Sequence, residues 1–461
     1  MAHALRWPRS AAAFSRLGVP VAVVDLETTG GNLYQDRITE VAVLRFENGR
    51  VERYEWLVNP HQPISAFIAK LTGIDDELVR DAPFFGQIAA ELLPLLCGTV
   101  LIAHNSRFDY TFLRHEFRRS GINFAAPALC TVQLSRRLYP QFHKHNLDSI
   151  IERMGISADN RHRAMADVLA LADFLEQSLQ EKGEEAWLGH GRALLNPKML
   201  PTWLPETLAQ QLYALPDGAG VAVWLDKSGQ AQAVQSYERA YFEIAAMLNG
   251  KNIPPFAQSA ASVRFMSAVG PVHALWLKAQ AMRQYHLRPS ETMRTFSTVQ
   301  FLPDEHGVLQ ARIVPMSNGV HANRPYGFFL HKKAAKRALA AWAQEHGLCP
   351  DSLNILPLTN AKNEPCPVQA VGQCDGRCQS EEGIRQQNSR ISTLAPLLPV
   401  ADWGRAHEID ITETDELSGQ ALTFRCAANA LALPDGCWYF DDSLPAVIKS
   451  VFKQGKATVV S

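Results

Sequence analysis

VAVVDLETTGG, residues 21–31, decides how this chain folds. Its first half is apolar and β-branched, too short for a typical helix and bounded by turn residues, so it reads as a buried strand. Residues i and i+2 of a strand point to the same face. Asp25 and Glu27 therefore project together, and Leu26 turns away. Thr28, Thr29, Gly30 and Gly31 follow as a turn where backbone can approach a ligand. Taken alone, an Asp-x-Glu on a strand is a weak sign, more often a strand end than a metal site.

Two further segments add to it. TVLIAHN (99–105) reads as a second buried strand that breaks at His104-Asn105, and the helix-like FDYTFLRHEFRR (108–119) carries Asp109 in its first turn. In RHRAMADV (161–168), His162 and Asp167 are five residues apart. That is about 140° on a helix of 3.6 residues per turn. They do not share a helix face, which places His162 on the loop entering a helix and Asp167 within it. Carboxylates repel one another, so four in one fold need a reason. Two divalent metals supply one: they neutralise the cluster, activate a water and stabilise the leaving oxygen of an in-line displacement. Magnesium, a hard cation bound by carboxylates and substrate oxygens, suits such a site.

Read together and in this order, the segments resemble the DEDDh 3′–5′ exonucleases, the family of the DNA polymerase III epsilon proofreading subunit. Asp25 and Glu27 match its first motif. His104, Asn105, Phe108 and Asp109 match the second, and His162 and Asp167 the third. KLTGIDDELVRDAPFF (70–85) is similar to the family's segment after the third strand, and HKHNLDSIIERMGI (143–156) to its helix before the third motif. The resemblance covers roughly residues 18–180. It implies an RNase H-like α/β domain with a mixed central sheet and flanking helices. It also implies that Asp25, Glu27, Asp109 and Asp167 hold two Mg2+ or Mn2+ ions, and that His162 is the general base for the attacking water. Imidazole suits that role because it exchanges a proton near neutral pH. By the same resemblance Thr28, Thr29, Leu71, His104 and Asn105 bind the 3′-terminal nucleotide. Phe108 reads as core packing.

The chain has 461 residues, enough for two or three domains with full cores, and a net charge of −1. There is no overall polybasic signature, so a nucleic-acid enzyme of this charge must concentrate its cations locally. The candidates are Arg114, Arg118 and Arg119, Arg136 and Arg137, and His143, Lys144 and His145. Solvated helix faces are an equal reading for the first two groups. The start, MAHALRWPRSAAAFSRLG, lacks the apolar core of a signal peptide. No run approaches the roughly 18 apolar residues of a membrane span. The expectation is a cytoplasmic protein that keeps off membranes, with cysteines reduced or metal-bound.

NPKMLPTWLPETL (196–208) is the best domain boundary, and there is no internal repeat. Beyond it, residues 215–248 read as strand, turn, strand and helix, and residues 267–290 as a second amphipathic helix. This order resembles the GIY-YIG nuclease domain of the UvrC-type excision nuclease and its short bacterial homologue, Cho. The motif residues depart from the family. Its first tyrosine falls on Ala222, its second tyrosine and glycine on Ala233 and Gln235, and its metal-binding glutamate on Lys278; Arg239 is near the catalytic arginine but out of phase. An ammonium cannot ligate a cation, so the resemblance implies an inactive domain kept for docking or DNA binding.

After the helix HKKAAKRALAAWAQEHG (331–347), Cys349, Cys366, Cys374 and Cys378 fall within one short stretch. Even spreading of the chain's cysteines would place only ~0.5 there. Thiolates grouped this way suit iron–sulfur or zinc ligation; a set of buried reduced thiols is the alternative. CPVQAVGQCDGRCQSEEGIRQQNSR (366–390) resembles the cysteine-rich stretch of UvrC and Cho, which favours a 4Fe-4S cluster over Zn2+. Cys97, Cys130, Cys426 and Cys437 read as core residues. The last sixty residues read as strands, one helix and a final strand, without a catalytic constellation.

The chain thus reads as a fusion. Residues 18–185 form the DEDDh exonuclease domain, 186–203 a linker, 204–292 a small α+β degenerate GIY-YIG-like domain, 293–400 a helical region with the cysteine cluster, and 401–461 a strand-rich C-terminal region. The expected activity is removal of nucleotides from single-stranded DNA 3′ ends in repair or proofreading, with DNA polymerase or repair proteins as partners. An RNA-trimming exoribonuclease and a non-catalytic DNA-binding scaffold are the other readings.

Overall fold

The structure, a computed structural model, describes residues 6–158, 161–291, 296–355, 368, 371–372, 380–400 and 408–460. The chain divides into two compact units. The first comprises Met1–Ala233, Tyr237–Ser267 and Glu416–Gly419; the second comprises Val234–Ser236, Ala268–Asp415 and Gln420–Ser461. Residues 204–292 thus straddle the division.

The first unit opens with α1 (Pro8–Ser15), then β1 (Val21–Thr28), β2 (Ile38–Glu47), β3 (Arg50–Leu57), α2 (Ala66–Thr72), α3 (Phe85–Leu96), β4 (Val100–Ala103), α4 (Arg107–Arg119), β5 (Ala128–Cys130), α5 (Thr131–Leu138), α6 (Leu147–Met154), α7 (Ala164–Lys182) and α8 (Glu184–Leu194). The five strands form one mixed sheet in the order β3-β2-β1-β4-β5. β1 is central, antiparallel to β2 and parallel to β4. Val21 to Val24 are all buried because helices cover both sheet faces. Val21 and Val23 join a core with α1 and α7, and Ala22, Val24 and Leu26 join the core of α3 and α4. Asp25 and Glu27 continue the Val21–Val23 row, on the α7 side.

The same unit continues through α9 (Glu206–Tyr213), β6 (Gly220–Leu225), β7 (Ala231–Tyr237, apart from Val234–Ser236), α10 (Ala240–Leu248), α11 (Pro255–Ser259) and β8 (Ser262–Ser267). β6 pairs antiparallel with β8, a strand absent from the sequence reading. Leu208, Trp224, Tyr241 and Ile244 centre this core. The buried Asp217 ties it to α4: Arg114 donates to the Asp217 carbonyl, Arg239 pairs with its carboxylate, and the Tyr110 hydroxyl donates to it at 3.4 Å.

The second unit holds α12 (Pro271–Gln284), β9 (Phe296–Pro303), β10 (Leu309–Met316), β11 (Gly319–His321), β12 (Tyr326–Phe329), α13 (Lys332–Glu345), α14 (Glu381–Leu394), β13 (Ile409–Thr414), β14 (Ala421–Ala427), β15 (Ala430–Ala432), β16 (Trp438–Phe440), α15 (Leu444–Lys453) and β17 (Ala457–Val459). One sheet runs β10-β9-β12, with α13 packed on it through Ala335, Leu339 and Trp342. The other runs β11-β16-β15-β14-β13-β17, with α12 and α15 in its core. Among the described residues no helix is long and apolar enough to cross a membrane.

One expectation about side chains changes. Cys97 is exposed, and Cys130 and Cys437 are half-buried, leaving Cys426 as the buried one of the four. Cys349 is half-buried; Cys366, Cys374 and Cys378 lie outside the described residues.

Candidate active site

Three elements bring carboxylates to one place. β1 presents Asp25 and Glu27, and α7 presents Asp167 from its first turn. Oxygens of these three lie within 4.8 Å of one another. Asp109, from the first turn of α4, is 2% exposed. Its charge acts on both β1 carboxyls. Burial pushes Asp25 well above the ordinary carboxylate range, reinforced by Asp109 and Glu27. Burial lifts Glu27 to about 8, reinforced by Glu40 and Asp109. Asp109 rises to about 7 through burial, opposed by hydrogen bonds from the backbone at Asp109 and Leu26. These are hard oxygen donors that cannot all ionise in such surroundings without cations, so the donor set fits divalent metal.

Arg161 is the counter-charge inside the protein. Its guanidinium pairs with Asp167, reaches Asp148 at 2.7 Å, and lowers the proton affinity of Asp25 and Glu27. His162 follows on the loop before α7 with φ 64°. Such a left-handed residue turns the chain sharply, which is how a loop histidine is set apart from the helical Asp167.

Glu40 is the functional residue that the sequence reading missed. It lies opposite Glu27 in the β1–β2 register and is fully buried. Like charges directly opposite across a strand pair repel. Glu40 is neutralised by Arg163, which donates from Nε to Oε1 at 3.0 Å and from Nη2 to the same oxygen at 2.5 Å. Its Oε2 accepts from the Ala164 backbone N–H at 2.8 Å, at the N-terminus of α7. One carboxylate thus clamps the residue after His162 and the helix carrying Asp167. The signal was available: a glutamate inside the apolar run ITEVAVL needs a partner.

The remaining expected site residues are spread around this cluster. The Thr29 hydroxyl donates to Asp36 at 3.0 Å and accepts from the Arg37 N–H and Gln62 Nε2, so it braces the loop after β1. The Thr28 hydroxyl donates to the Gly30 carbonyl at 2.6 Å. A Cβ on Gly30 would meet the Asp36 carboxylate at 2.5 Å, so the loop closes this tightly only with glycine there. Leu71 lies on α2 and is 42% exposed. His104 meets the Thr131 hydroxyl through Nδ1 at 3.0 Å, and burial, with Arg161, pushes its imidazole down to about 4. Asn105 is exposed and makes the strand-to-helix turn at φ 70°. Phe108 is half-buried against Phe112, ring centroids 4.7 Å apart.

The cation candidates separate. Arg114 pairs with Asp217 and Arg119 with Glu116. His145 is buried between Ser135 and the Phe142 carbonyl, which removes it from any surface patch. Arg136, Arg137, His143 and Lys144 are exposed. Lys278 is committed to an ion pair with Asp441 at 2.7 Å. Burial alone would raise Asp441, but Lys278 holds it below its ordinary value.

Residues 22–175 match the Exonuclease family model, and residues 304–396 match the UvrC/Cho excinuclease middle domain. DNA polymerase III PolC-type of Caldanaerobacter subterraneus subsp. tengcongensis is 36% identical over 163 residues, 35% of this chain and 12% of that protein. The 3′-5′ exonuclease DinG of Bacillus subtilis is 36% identical over 148 residues, 32% of this chain and 16% of that protein. The solved structure of Exonuclease X in complex with 5′ overhanging duplex DNA is 23% identical, covering 37% of this chain and 99% of that one, with a TM-score of 0.31. The chain spans 12% and 16% of the length of these two curated relatives. It carries an exonuclease domain homologous to those of 3′–5′ exonucleases, and a segment shared with UvrC and Cho.

Proposed function

We propose that this chain is a metal-dependent exonuclease that removes nucleotides from DNA 3′ ends in repair or replication proofreading. The observation that carries the reading is the set of Asp25, Glu27 and Asp167 oxygens within 4.8 Å, in a domain whose residues 22–175 match an exonuclease family. Mg2+ or Mn2+ held by Asp25, Glu27, Asp109 and Asp167 would supply a polarised water and stabilise the leaving oxygen. The protein's own groups do the rest. His162 takes the proton of the water whose oxygen bonds to phosphorus, and the phosphorus–O3′ bond breaks to release the terminal nucleotide. Glu40, through Arg163 and Ala164, keeps that histidine's loop and Asp167 in register. Arg161 competes with any cation for the same Asp167 oxygen.

The likeness to PolC-type polymerases and DinG supports DNA as substrate and a polymerase or repair protein as partner. The rest of the chain is read as a UvrC-like targeting module without nuclease activity. Ala222, Ala233 and Gln235 stand where that module's tyrosines and glycine belong, Lys278 is bound to Asp441, and Arg239 to Asp217. Cys349, Cys366, Cys374 and Cys378 remain the proposed ligands of a 4Fe-4S cluster or zinc.

The test uses the purified full chain, magnesium, and 5′-labelled single-stranded DNA, 3′-mispaired duplex and RNA. Stepwise shortening of DNA from its 3′ end is expected. Faster shortening of RNA would move the substrate class, and no shortening of any substrate would overturn the reading.

A further inference from the structure

The helix α13 carries its charges the wrong way round. Lys332, Lys333, Lys336 and Arg337 occupy its first half, all exposed, and no acidic residue lies in the first turn. Glu345 ends the helix, where a cation would be favoured. Helix termini prefer the reverse, anions at the start and cations at the end. Lys332 and Lys336, and Lys333 and Arg337, are also like-charge pairs four residues apart, which disfavour the helix. The buried face is made by Ala335, Leu339, Trp342 and Ala343, so burial does not require the cations. The solvent side continues with Ala340, Ala341 and Gln344, which offer no carboxylate. Among the described residues none of the four cations is paired with an acid. In a chain of net charge −1, with Arg114, Arg119, Arg161 and Arg163 spent on buried or half-buried acids, this is a concentration of positive charge without an acidic partner among the described residues.

We infer that the exposed face of α13 is a binding surface for the phosphate backbone of duplex nucleic acid, separate from the catalytic cluster. The positive end of the helix dipole and the four cations all favour anions at the same place. The two rows, 332/336 and 333/337, can each follow successive phosphates, because residues four apart stand side by side on a helix. Such contacts read no sequence and release condensed counterions, so binding weakens steeply with salt. Duplex is the occupant, rather than an acidic protein, because paired rows of cations match the regular phosphates of a duplex and the proposed function acts on DNA. In this respect the inference rests on the proposed function.

The experiment measures affinity of the full chain, in EDTA, for a fluorescent, covalently closed duplex that offers no 3′ end, over a range of salt concentrations. The variant Lys332→Gln/Lys333→Gln/Lys336→Gln/Arg337→Gln relieves repulsion on the helix, so it should melt no lower than the parent. It is expected to bind at least about tenfold more weakly at low salt and to flatten the log Kd–log salt slope by about 3. Its magnesium-dependent shortening of a brief single strand should be unchanged. Equal affinity and slope in parent and variant would overturn the inference, as would tighter binding of polyglutamate than of duplex by the parent. If the parent binds duplex through these residues but shortens no strand, the exonuclease reading fails and this one stands. Should the variant melt lower, Lys336→Gln/Arg337→Gln alone must still lower the affinity and the slope, or the inference is rejected.

Discussion

Arg163 reaches Glu40 across 123 residues of sequence and donates to it from Nε at 3.0 Å, while the same carboxylate accepts the Ala164 N–H at 2.8 Å. The general-base candidate and the helical metal ligand are therefore tethered to the strand beside Asp25 and Glu27. Glu40→Ala leaves a half-buried guanidinium and an amide unpaired. A loss of about 2–4 kcal/mol is expected, below the full cost of breaking a buried pair because Arg163 keeps some access to water. Glu40→Gln still accepts from Ala164 and should keep more stability, yet turn over more slowly. Thermal melts and single-turnover rates of both variants check this; wild-type rates in Glu40→Ala would dismiss the tether.

Removing a carboxylate should end hydrolysis without ending the fold. Asp25→Ala or Asp167→Ala is expected to abolish nucleotide release, and metal-free Asp25→Ala should melt no lower, because repulsion is relieved. His162→Ala should slow turnover by about 10²–10⁴-fold, the usual share of a general base. Full activity of Asp25→Ala would refute the metal assignment.

The proton affinities of the cluster set a pH dependence. Asp25 is raised, Glu27 titrates at about 8 and Asp109 at about 7 in the folded protein. An unfolded carboxyl titrates near 4. Between these values the folded state holds protons that the unfolded state has lost, so metal-free stability falls as pH rises from about 4 through about 8. Metal must displace those protons, so its affinity rises over the same window. Magnesium should therefore raise Tm more at pH 8.5 than at pH 6. A larger rise at pH 6 contradicts the burial of these groups.

Anaerobically purified protein should carry a metal on Cys349, Cys366, Cys374 and Cys378, brown if iron–sulfur. A closed four-thiolate site has a structural role. Cys374→Ser should release the metal and lower the melting of the C-terminal half, while a short single strand is still trimmed. Metal analysis finding neither iron nor zinc rejects the site.

An exonuclease-dead full chain, Asp167→Ala, given nicked, bubbled or damaged duplex should leave no internal cut. Lys278 is held by Asp441 where a metal-binding glutamate is required. Endonucleolytic fragments on a gel would reverse the assignment.

Much of the first unit was legible because its signals are local. Four apolar residues followed by Asp-x-Glu mark a central strand and place both carboxylates on one face by its two-residue period. The five-residue spacing of His162 and Asp167 puts them on different elements, and α7 begins between them. Cys97 was misjudged as core because neighbouring leucines say nothing about which side of a helix end meets solvent. His145 looked like part of a basic run until packing buried it against Ser135.

Sequence by itself determined which residues can ligate a cation, on what kind of element each sits, and the order in which they come. Tertiary structure alone decided that Glu40 faces Glu27, that Arg163 neutralises it, that Arg161 takes Asp167, and that burial lifts the cluster's proton affinity. Backbone periodicity is a local property, fixed over a few residues. Charge pairing and desolvation depend on distances in space, for Arg163 and Glu40 between residues 123 positions apart, and exist only once the sheet and α7 have closed around them.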